Sequence, residues 1–479
     1  MAKRFSLCKV FLLMSSAGFL SLGQTAYAAA FQLWEQDGAS IGNYHAGYAA
    51  IAEDASTSFY NPAGLVRIHN QQFVLGADPV FTDFIFRGTV QVNNDVDSGL
   101  PTLTSAQGGN FALVPNLHYA APLLDNLVFG LSTVVPFGLK TDWGYAPVTR
   151  YVATVTSLMV VDISPTFGFG ITDKLSVGAG LDAEQASAEF DLVGGQGASD
   201  ADTKSINKGS GKGYGFHLGA LYQFSPATRL GLSFHSQVIH KLRGTSAFVG
   251  PLANEANGGT QISTGLRTEF RLPASTSLSF FHTYNPQWDV MATISYIQWS
   301  VFNQIILNNT AGVDIVGGGS TTVDNLQVTV AQHYHNSWNY ALGSNYHVNE
   351  KWMIRTGLGY DQTPSNDRYR NLALPDSDRY IIAIGGHFQA TNTIGLDMSW
   401  AHFFMQNTRI NSLTQIVGSQ ISTTNGIVQG GGGCVWLSTE VGHCLIKPSS
   451  FAFTLRCICA TLLTYPTTYA ALRCSMRLD

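Results

Sequence analysis

The sequence has few charged residues and, beyond its N-terminal segment, no long hydrophobic run. Charged residues make up 12% of the 479-residue chain, against roughly a quarter in soluble globular domains. No later apolar run is long enough to cross a bilayer as a helix. Cysteine is absent from Ala29 to Gly433, so a disulfide or metal framework would be confined to the tail, whose cysteine spacing matches no zinc pattern. A formal net charge of −5 without a basic patch argues against nucleic-acid binding.

Glycine and aromatic residues are abundant instead. The chain holds 49 Gly, 8 Trp, 19 Tyr and 28 Phe, and its mean hydropathy is +0.08. In a transmembrane β-barrel every second residue of a strand faces lipid, so hydropathy averages out along the strand. This composition therefore favours an all-β protein, a transmembrane antiparallel β-barrel.

The N-terminal residues 1–28 read as a secretory signal peptide. Lys3, Arg4 and Lys9 form a basic start, an apolar centre follows, and Ala26–Ala28 supplies small residues for cleavage. A retained anchor helix is the alternative, but the apolar centre is short for a membrane span. We expect the mature chain to begin at Ala29.

Thirteen segments with strand-like alternation follow, joined by connections that are alternately short and long. Short turns opposite long, Gly-, Ser- and Asn-rich loops are typical of outer-membrane barrels. The long stretches predicted as loops are 91–110, 144–157, 193–212, 249–267, 308–334, 365–378 and 408–430. The segments begin near Gln71, Phe111, Asn126, Leu158, Lys174, Gly213, Thr228, Thr268, Gln287, His335, Lys351, Arg379 and Asn392.

The two faces of several segments can be read directly from the sequence. In 351–360, for example, Leu358 and Tyr360 alternate with Arg355 and Gly357. In 126–138, Leu127, Phe129, Leu131, Val135 and Phe137 are predicted to share one face. Four tryptophans fall near predicted strand ends and suggest an interfacial girdle: Trp143, Trp288, Trp299 and Trp352.

Thirteen strands cannot close a bacterial single-chain barrel, which has an even strand number. A fourteenth strand should follow the loop 408–430, but the glycine run Gly430–Gly433 leads into a cysteine-rich tail without clean alternation. We therefore predict a barrel over 70–430 and an atypical tail over 431–479, in which a shifted reading frame replaces the last strand. A genuine C-terminal extension is the alternative.

Several motifs between the mature N-terminus and about Asn411 resemble the bacterial outer-membrane long-chain fatty-acid and hydrocarbon transporters (FadL type). The most specific is the Asn61–Gly64 sequence Asn-Pro-Ala-Gly after Ala52–Ser56. Others are Ala29–Leu33, Leu272–Ser275, Gln298–Ser300, Tyr360–Pro364 and Leu374–Arg379. The resemblance implies a fourteen-stranded barrel with an N-terminal hatch over 29–69, including Phe31, Asn61, Pro62, Ala63 and Gly64.

The function implied by this resemblance is uptake of long-chain fatty acids or other apolar small molecules through the outer membrane. The ligand would be captured outside, pass an interior site and leave sideways through the barrel wall into lipid. No cofactor, metal or nucleic-acid partner is expected, and we expect a monomer surrounded by outer-membrane lipid.

Two groups of residues are candidates for this transport. Pro136 and Gly138 could kink a strand and open the wall, because proline cannot donate to the ladder; an ordinary strand end is the alternative. Alternation from Leu230 turns His235, Lys241 and Arg243 inward, so Lys241, Arg243 and Arg355 are candidates for a ligand carboxylate. Pairing of Arg355 with Asp397 is the alternative.

Two other functions are alternatives to transport. An outer-membrane acyl hydrolase would need a Ser–His pair, for which Ser279 and His282 are the nearest candidates. A surface adhesin carried by the long loops is a further alternative. His333 and His335 could share a metal, but no third ligand is evident.

Overall fold

The computed structural model describes residues 30–34, 36–92, 102–194, 202–253, 257–316, 319–415 and 421–442. The predicted signal peptide and the tail beyond Gly442 lie outside these residues. Among the helices of the described residues, none is long and apolar enough to cross a membrane.

Twenty β-segments form one continuous antiparallel sheet that closes on itself. Strand β1 pairs with β3 on one side and with β20 on the other, so the sheet has no free edge there. The segments are β1 (Gln72–Val92), β2 (Thr102–Gln107), β3 (Phe111–Leu124), β4 (Leu127–Asp142), β5 (Val155–Gly170), β6 (Leu175–Gly194), β7 (Thr203–Ser225), β8 (Thr228–His235), β9 (Val238–Val249), β10 (Thr260–Leu272), β11 (Ser275–Asn285), β12 (Trp288–Ile297), β13 (Gln304–Val316), β14 (Gly319–Ala331), β15 (Ser337–Asn349), β16 (Trp352–Asp361), β17 (Arg379–Thr391), β18 (Ile394–Met405), β19 (Thr408–Gln415) and β20 (Ile421–Gly442).

Six barrel strands consist of two segments that lie end to end. The pairs are β2/β3, β8/β9, β10/β11, β12/β13, β14/β15 and β18/β19, and the members of a pair share neighbouring strands. The result is a closed barrel of fourteen antiparallel strands. This confirms the predicted fold class and the even strand number. A sheet in lipid must close because open edges leave backbone groups unpaired.

Side chains alternate between the lumen and the outer surface along most strands. In β5, Asp162, Ser164 and Thr166 are buried inside, whereas Ile163 and Phe167 are exposed outside. The predicted alternation of Arg355 and Gly357 with Leu358 is also present. A register shift of one residue would turn these polar side chains toward lipid, and a single arginine at the bilayer midplane costs roughly 2–4 kcal/mol. The alternation therefore determines the strand register.

Two of the four tryptophans predicted to form an interfacial girdle are buried instead. Trp288 is exposed on the outer surface, but Trp143 and Trp299 are almost completely buried. Trp143 donates its indole N–H to the Leu372 carbonyl at 2.8 Å. Position near a strand end does not distinguish a side chain that faces the interface from one that folds back over the lumen.

Several stretches predicted as loops are strand in the structure. Segments β13 and β14 occupy most of 308–334, and β7 begins at Thr203 inside the predicted loop 193–212. These extensions are rich in Gly, Ser, Thr and Asn, so they lack the apolar alternation that marks a lipid-facing strand. Outside the lipid, backbone pairing alone continues the ladder.

The fourteenth strand, β20, does not stop at the glycine run. It pairs with β1 from Val92↔Ser422 to Gln72↔Gly442, and Gly430–Gly433 lie within this ladder. The boundary predicted at residue 430 is therefore too early, because residues 431–442 continue the strand. An altered reading frame after Gly433 stays a prediction.

The N-terminal residues of the described chain fold inside the barrel. Three short helices, Gly38–Gly42, Tyr48–Ile51 and Thr57–Tyr60, are followed by a 3₁₀ helix, Pro62–Arg67. Asp37 caps the first helix by accepting a hydrogen bond from the Ser40 N–H at 2.6 Å. Nearly all side chains from Gly38 to Leu65 are buried although the segment has little regular structure. We call residues 30–68 the hatch.

Candidate functional site

Strand β4 is kinked by a bulge at Val135 and Pro136. Val134 pairs with Asp162 and Phe137 with Val160, so β4 holds one more residue than β5 across this interval. Proline cannot donate to the ladder, and a bulge bends the strand that carries it. The extra residue also turns Phe137 inward, where it is buried. The prediction that Phe137 shares the outer face with Leu127 is therefore wrong.

Above the kink, β4 separates from its neighbour β3. The β3–β4 ladder runs from Leu124↔Leu127 only to Leu117↔Thr133. Within the described residues, no ladder pairing joins residues 111–116 of β3 to β4, although these residues still pair with β1. The barrel wall is thus interrupted between β3 and β4, and we call this interruption the wall gap.

The first part of the hatch lies along the kinked edge of β4. The Leu33 N–H donates to the Pro136 carbonyl, and the Gly138 N–H donates to the Phe31 carbonyl, both at 2.9 Å. The Gln36 side chain donates to the Val135 carbonyl at 2.9 Å and accepts from the Val135 N–H at 3.1 Å. Phe31, Leu33 and Gln36 therefore satisfy backbone groups of β4 that β3 leaves unpaired.

A cavity of about 660 Å³ occupies the wall gap. Its lining includes inward, buried side chains such as Val114 and Leu158 and outward, exposed ones such as Phe111 and Met159. Leu33 of the hatch and Gly138 of β4 also line it. The cavity is therefore bounded by residues of both faces of the wall, next to the hatch.

Phe31 is inserted into an aromatic cluster in the lumen. Its ring lies 4.7 Å from that of Trp299, 5.2 Å from Phe302 and 6.1 Å from Phe137, all edge to face. Such pairs contribute about 0.5–1.5 kcal/mol each beyond burial of their area. The start of the hatch is thus held in an apolar pocket that is built from the kinked strand and the 3₁₀ turn Trp299–Val301.

The Asn61–Gly64 motif fixes the end of the hatch against β7. Asn61 is fully buried, and its side-chain amide donates to the carbonyls of Ala49 at 2.5 Å and Ala220 at 3.1 Å. Its Oδ1 accepts from the Ala63 N–H at 3.1 Å, which caps the 3₁₀ helix that Pro62 begins. One side chain thus joins two parts of the hatch to the wall.

Wall glycines let the hatch backbone approach the barrel closely. A Cβ on Gly219 would lie 1.9 Å from the Asn61 Oδ1, and one on Gly178 would lie 2.4 Å from the Pro62 carbonyl carbon. Gly64 is equally constrained, since its Cβ would lie 2.7 Å from that of Ala52. A side chain at Gly178 or Gly219 would therefore prevent the hatch backbone from packing against the wall.

These features match a known family. A family model described as "Outer membrane protein transport protein (OMPP1/FadL/TodX)" matches residues 19–430. The chain belongs to this family. It is accordingly an outer-membrane protein, as predicted, and the resemblance noted in the sequence is confirmed.

Individual relatives are distant in sequence but similar over most of their length. The "Long-chain fatty acid transport protein" of Salmonella typhi is 26% identical, covering 81% of this chain and 90% of that protein. "Outer membrane protein P1" of Haemophilus influenzae is 28% identical, covering 86% and 94%. Among solved structures, a Pseudomonas aeruginosa FadL homologue has a TM-score of 0.73 at 22% identity, covering 86% and 99%. The Ralstonia pickettii toluene transporter TbuX has 0.60 at 18%, covering 86% and 100%.

In this FadL-type chain, Arg355 is an anchor between barrel and hatch. Its guanidinium is buried and contacts Glu53 of the hatch at 2.7 Å and Asp397 of β18 at 3.0 Å. His387 also reaches Asp397, at 3.1 Å. Pairing of Arg355 with Asp397, which was the alternative to ligand binding, is thus present.

The other two cations predicted for the carboxylate point outward. Strand β8 ends at His235, and the ladder resumes at Val238 after Ser236 and Gln237. This interruption shifts the alternation by one residue, so His240 and Leu242 are buried, whereas Lys241 and Arg243 are exposed. The prediction that Lys241 and Arg243 face the lumen is wrong. Arg243 nevertheless lines the cavity in the wall gap.

A histidine cluster under the hatch was not predicted. His217 contacts Asp182 at 2.5 Å through Nδ1 and the Ser58 carbonyl at 3.0 Å through Nε2. His235 stacks on His217 with ring centroids 5.1 Å apart. Asp182, His217 and His235 have the ligand types and proximity for a metal ion, but both nitrogens of His217 already have partners. The cluster therefore anchors the hatch helix Thr57–Tyr60.

Within the hatch, burial changes the protonation of individual side chains. Burial lowers the pKa of His45 to about 3, so this ring is neutral at ordinary pH. Burial also raises the pKa of Asp37, although the Ser40 N–H that it caps stabilises the carboxylate. Burial therefore disfavours charge on both side chains in the hatch interior.

The Ser–His pair proposed for an acyl hydrolase does not come together. Ser279 is fully buried and bonds to Thr293 at 2.7 Å, whereas His282 bonds to Thr228 at 2.8 Å. Residues three apart on a strand face opposite sides, so the predicted Ser–His pair is wrong. His335 binds the Asn336 carbonyl at 2.9 Å. The adhesin hypothesis stays a prediction.

Proposed function

We propose that the protein takes up long-chain fatty acids or other apolar small molecules and releases them sideways into the outer membrane through the wall gap. The observation that carries this proposal is the cavity at the interrupted β3–β4 ladder, bordered by hatch residue Leu33. Support also comes from relatives named as fatty-acid and toluene transporters, two ligand classes that share an apolar body.

The character of the cavity favours an apolar ligand. Leu33, Leu139, Leu158, Phe111 and Met159 contribute to its lining. An acyl chain gains about 0.8 kcal/mol for each CH₂ transferred out of water, so it binds an apolar slot and avoids a wet pore. Release sideways into lipid keeps the chain out of water throughout, which release into the periplasm would not.

The hatch segment 31–36 is the gate in this proposal. It occupies the backbone groups of β4 that border the gap, and Phe31 holds it in the aromatic cluster. A ligand that enters the Trp299 and Phe302 pocket competes with Phe31 for the same apolar surface. Binding then favours the state in which the segment has left β4, which is a population shift driven by differential affinity.

Two cations of the protein lie at the outer side of the cavity, where they could meet the headgroup of an acidic ligand. Lys208 and Arg243 line the cavity on its outer side, where a carboxylate would meet them while its chain enters the gap. Arg355 has two carboxylate partners and Lys241 does not line this cavity. Lys208 already pairs with Glu189 at 2.8 Å. We therefore assign the carboxylate to Arg243, and this assignment applies only to acidic ligands.

Uptake of radiolabelled oleate by cells that lack their own transporter tests this function. Gly138→Trp would fill the gap, because even a Cβ at this position lies 2.9 Å from the Leu33 side chain. We expect uptake to fall to the level of cells without the protein. Gly386→Trp is the matched control, because its Cβ meets only the Met353 carbonyl at 3.7 Å. Undiminished uptake by properly inserted Gly138→Trp would contradict release through the gap.

A further inference from the structure

The outer face of β7 changes from apolar to basic at one level. Tyr214, Phe216 and Leu218 are exposed by 71%, 44% and 44%, and the next outward positions toward the loop end are Lys212, Ser210 and Lys208. From Ser225 to Tyr214 the strand climbs about 28 Å at the usual rise and tilt. The hydrocarbon band of an outer-membrane barrel is about 25 Å tall, so the change occurs where hydrocarbon ends and headgroups begin.

The same change occurs on the two following barrel strands. On β9 and β10 the exposed outward residues at this level include Lys241, Arg243, Arg267 and Arg271, and neutral residues such as Thr245 and Ile262 follow toward the loops. Two carboxylates, Glu189 and Glu269, lie among them. We call the seven basic side chains the basic collar: Lys204, Lys208 and Lys212 on β7, Lys241 and Arg243 on β9, and Arg267 and Arg271 on β10. This excess of positive charge stands out in a chain of net charge −5.

Part of the collar is not compensated within the protein. Glu189 pairs with Lys208 at 2.8 Å, and Glu269 contacts Arg271 at 3.4 Å. Arg243 and Arg267 are direct cross-strand partners, and like charges in such positions are destabilising. Among the described residues, neither they nor Lys212 form an ion pair. An anion that binds from outside would relieve this repulsion.

The collar is confined to one side of the barrel. At comparable positions, the outer ends of β13 and β14 carry neutral residues such as Gln304, Asn308 and Gln327. Lys208 and Arg243 also line the cavity in the wall gap. The basic collar thus borders the apolar lipid-facing band of β7 and also reaches the cavity in the wall gap.

We propose that the basic collar binds the phosphorylated headgroups of lipids in the outer leaflet and orders them beside the wall gap. Phosphate is the chemistry that clustered Lys and Arg side chains recognise best. A lipid is the occupant, because the collar lies directly above exposed Tyr214 and Phe216, where the acyl chains of the same molecule pack. Two of the collar's cations, Lys208 and Arg243, also line the cavity in the wall gap, whereas Lys212, Lys241 and Arg267 do not.

Binding of lipid A to the purified full-length protein in neutral detergent tests the proposal. The collar variant is Lys212→Gln, Lys241→Gln and Arg267→Gln, which leaves the cavity-lining cations intact. The control variant removes the same charge elsewhere: Arg87→Gln, Lys351→Gln and Arg409→Gln, all exposed. Each basic residue near an anionic surface contributes about fivefold, so we expect the collar variant to bind about a hundredfold more weakly and the control to bind like the parent.

Three further readouts complete the test. Dephosphorylated lipid A should bind the parent as weakly as lipid A binds the collar variant. Rising salt should weaken the binding of lipid A to the parent more steeply than its binding to the collar variant, which keeps only four of the seven cations. Inorganic phosphate should compete poorly, because it lacks chains for the apolar band. Equal binding by collar and control variants, or salt-independent binding by the parent, would overturn the proposal. Equally effective competition by inorganic phosphate would overturn its assignment to lipid.

Discussion

Replacement of Asn61 by alanine should release the hatch from the barrel without unfolding the barrel. The substitution removes the cap on the Ala63 N–H and leaves the buried carbonyls of Ala49 and Ala220 without their donor. Loss of a cap costs about 1 kcal/mol, and each lost hydrogen bond to a buried carbonyl costs about 1 kcal/mol. The sum is about 3 kcal/mol, which corresponds to roughly a hundredfold change in the docking equilibrium.

Amide hydrogen exchange in detergent measures this equilibrium directly. The Asn61 and Gly64 amides are bonded within the hatch, to the carbonyls of Thr57 and Asn61 at 2.9 Å. Both should exchange roughly a hundredfold faster in Asn61→Ala if exchange follows hatch opening. Amides of the β11–β12 ladder should keep their parent rates and thus serve as the internal control.

Two variants separate the contributions of the Asn61 side chain. Asn61→Ser keeps a capping oxygen but is too short to reach Ala49 and Ala220, so its effect should be intermediate. Asn349→Ala removes an exposed turn asparagine that accepts from Lys351 and Trp352, and it should leave the hatch unchanged. Parent-like exchange of the hatch in Asn61→Ala would refute the reasoning.

Three other substitutions test separate contacts. Gly219→Ala should undock the hatch, whereas Gly170→Ala, whose Cβ has no neighbour closer than 3.7 Å, should not. Protease sensitivity of the hatch distinguishes the two variants, and equal sensitivity would count against close packing of Asn61 on Gly219. Arg355→Met should destabilise the barrel by about 3–5 kcal/mol, because the buried Asp397 loses the guanidinium and keeps, among the described residues, only His387 as a partner. Denaturant unfolding measures this, and a shift below about 1 kcal/mol would contradict the anchor role. Phe31→Ala should weaken hatch docking by about 3–5 kcal/mol, seen as faster exchange at Leu33, and an unchanged rate would exclude the aromatic cluster as an anchor.

The fold was predictable because lipid imposes a strict period of two. For β16, alternation alone predicts the correct faces, because Arg355 cannot face hydrocarbon. Because bacterial single-chain barrels have an even strand number, a fourteenth strand is expected, and β20 is that strand. Its glycine run concealed it, since residues without side chains leave no alternation to read.

The site was less predictable because it depends on where alternation fails. One bulge at Val135–Pro136 turns Phe137 into the lumen, and one interruption at Ser236–Gln237 turns Lys241 and Arg243 out of it. Pro136 signalled the first, but no residue type signalled the second.

The partners of the hatch were also invisible in the sequence. Gln36 and Trp299 contact residues far away in the chain, and spacing carries no information about such contacts. Trp299 lies in a motif of the family resemblance, yet its position near a strand end indicated the interface. The basic collar likewise consists of cations that are scattered in the sequence and adjacent only in the closed sheet.

The most direct test of gating at the wall gap is a reversible lock between the hatch and β4. Leu33→Cys and Gly138→Cys place two thiols where the Leu33 side chain contacts position 138, in a chain whose other mature cysteines are replaced by serine. In cells that lack their own transporter, oxidation of this double variant should abolish oleate uptake and a reductant should restore it. Either single variant should transport oleate under both conditions. Equal uptake by the oxidised and reduced double variant would contradict the account, because the ligand would then pass without displacing residues 31–36.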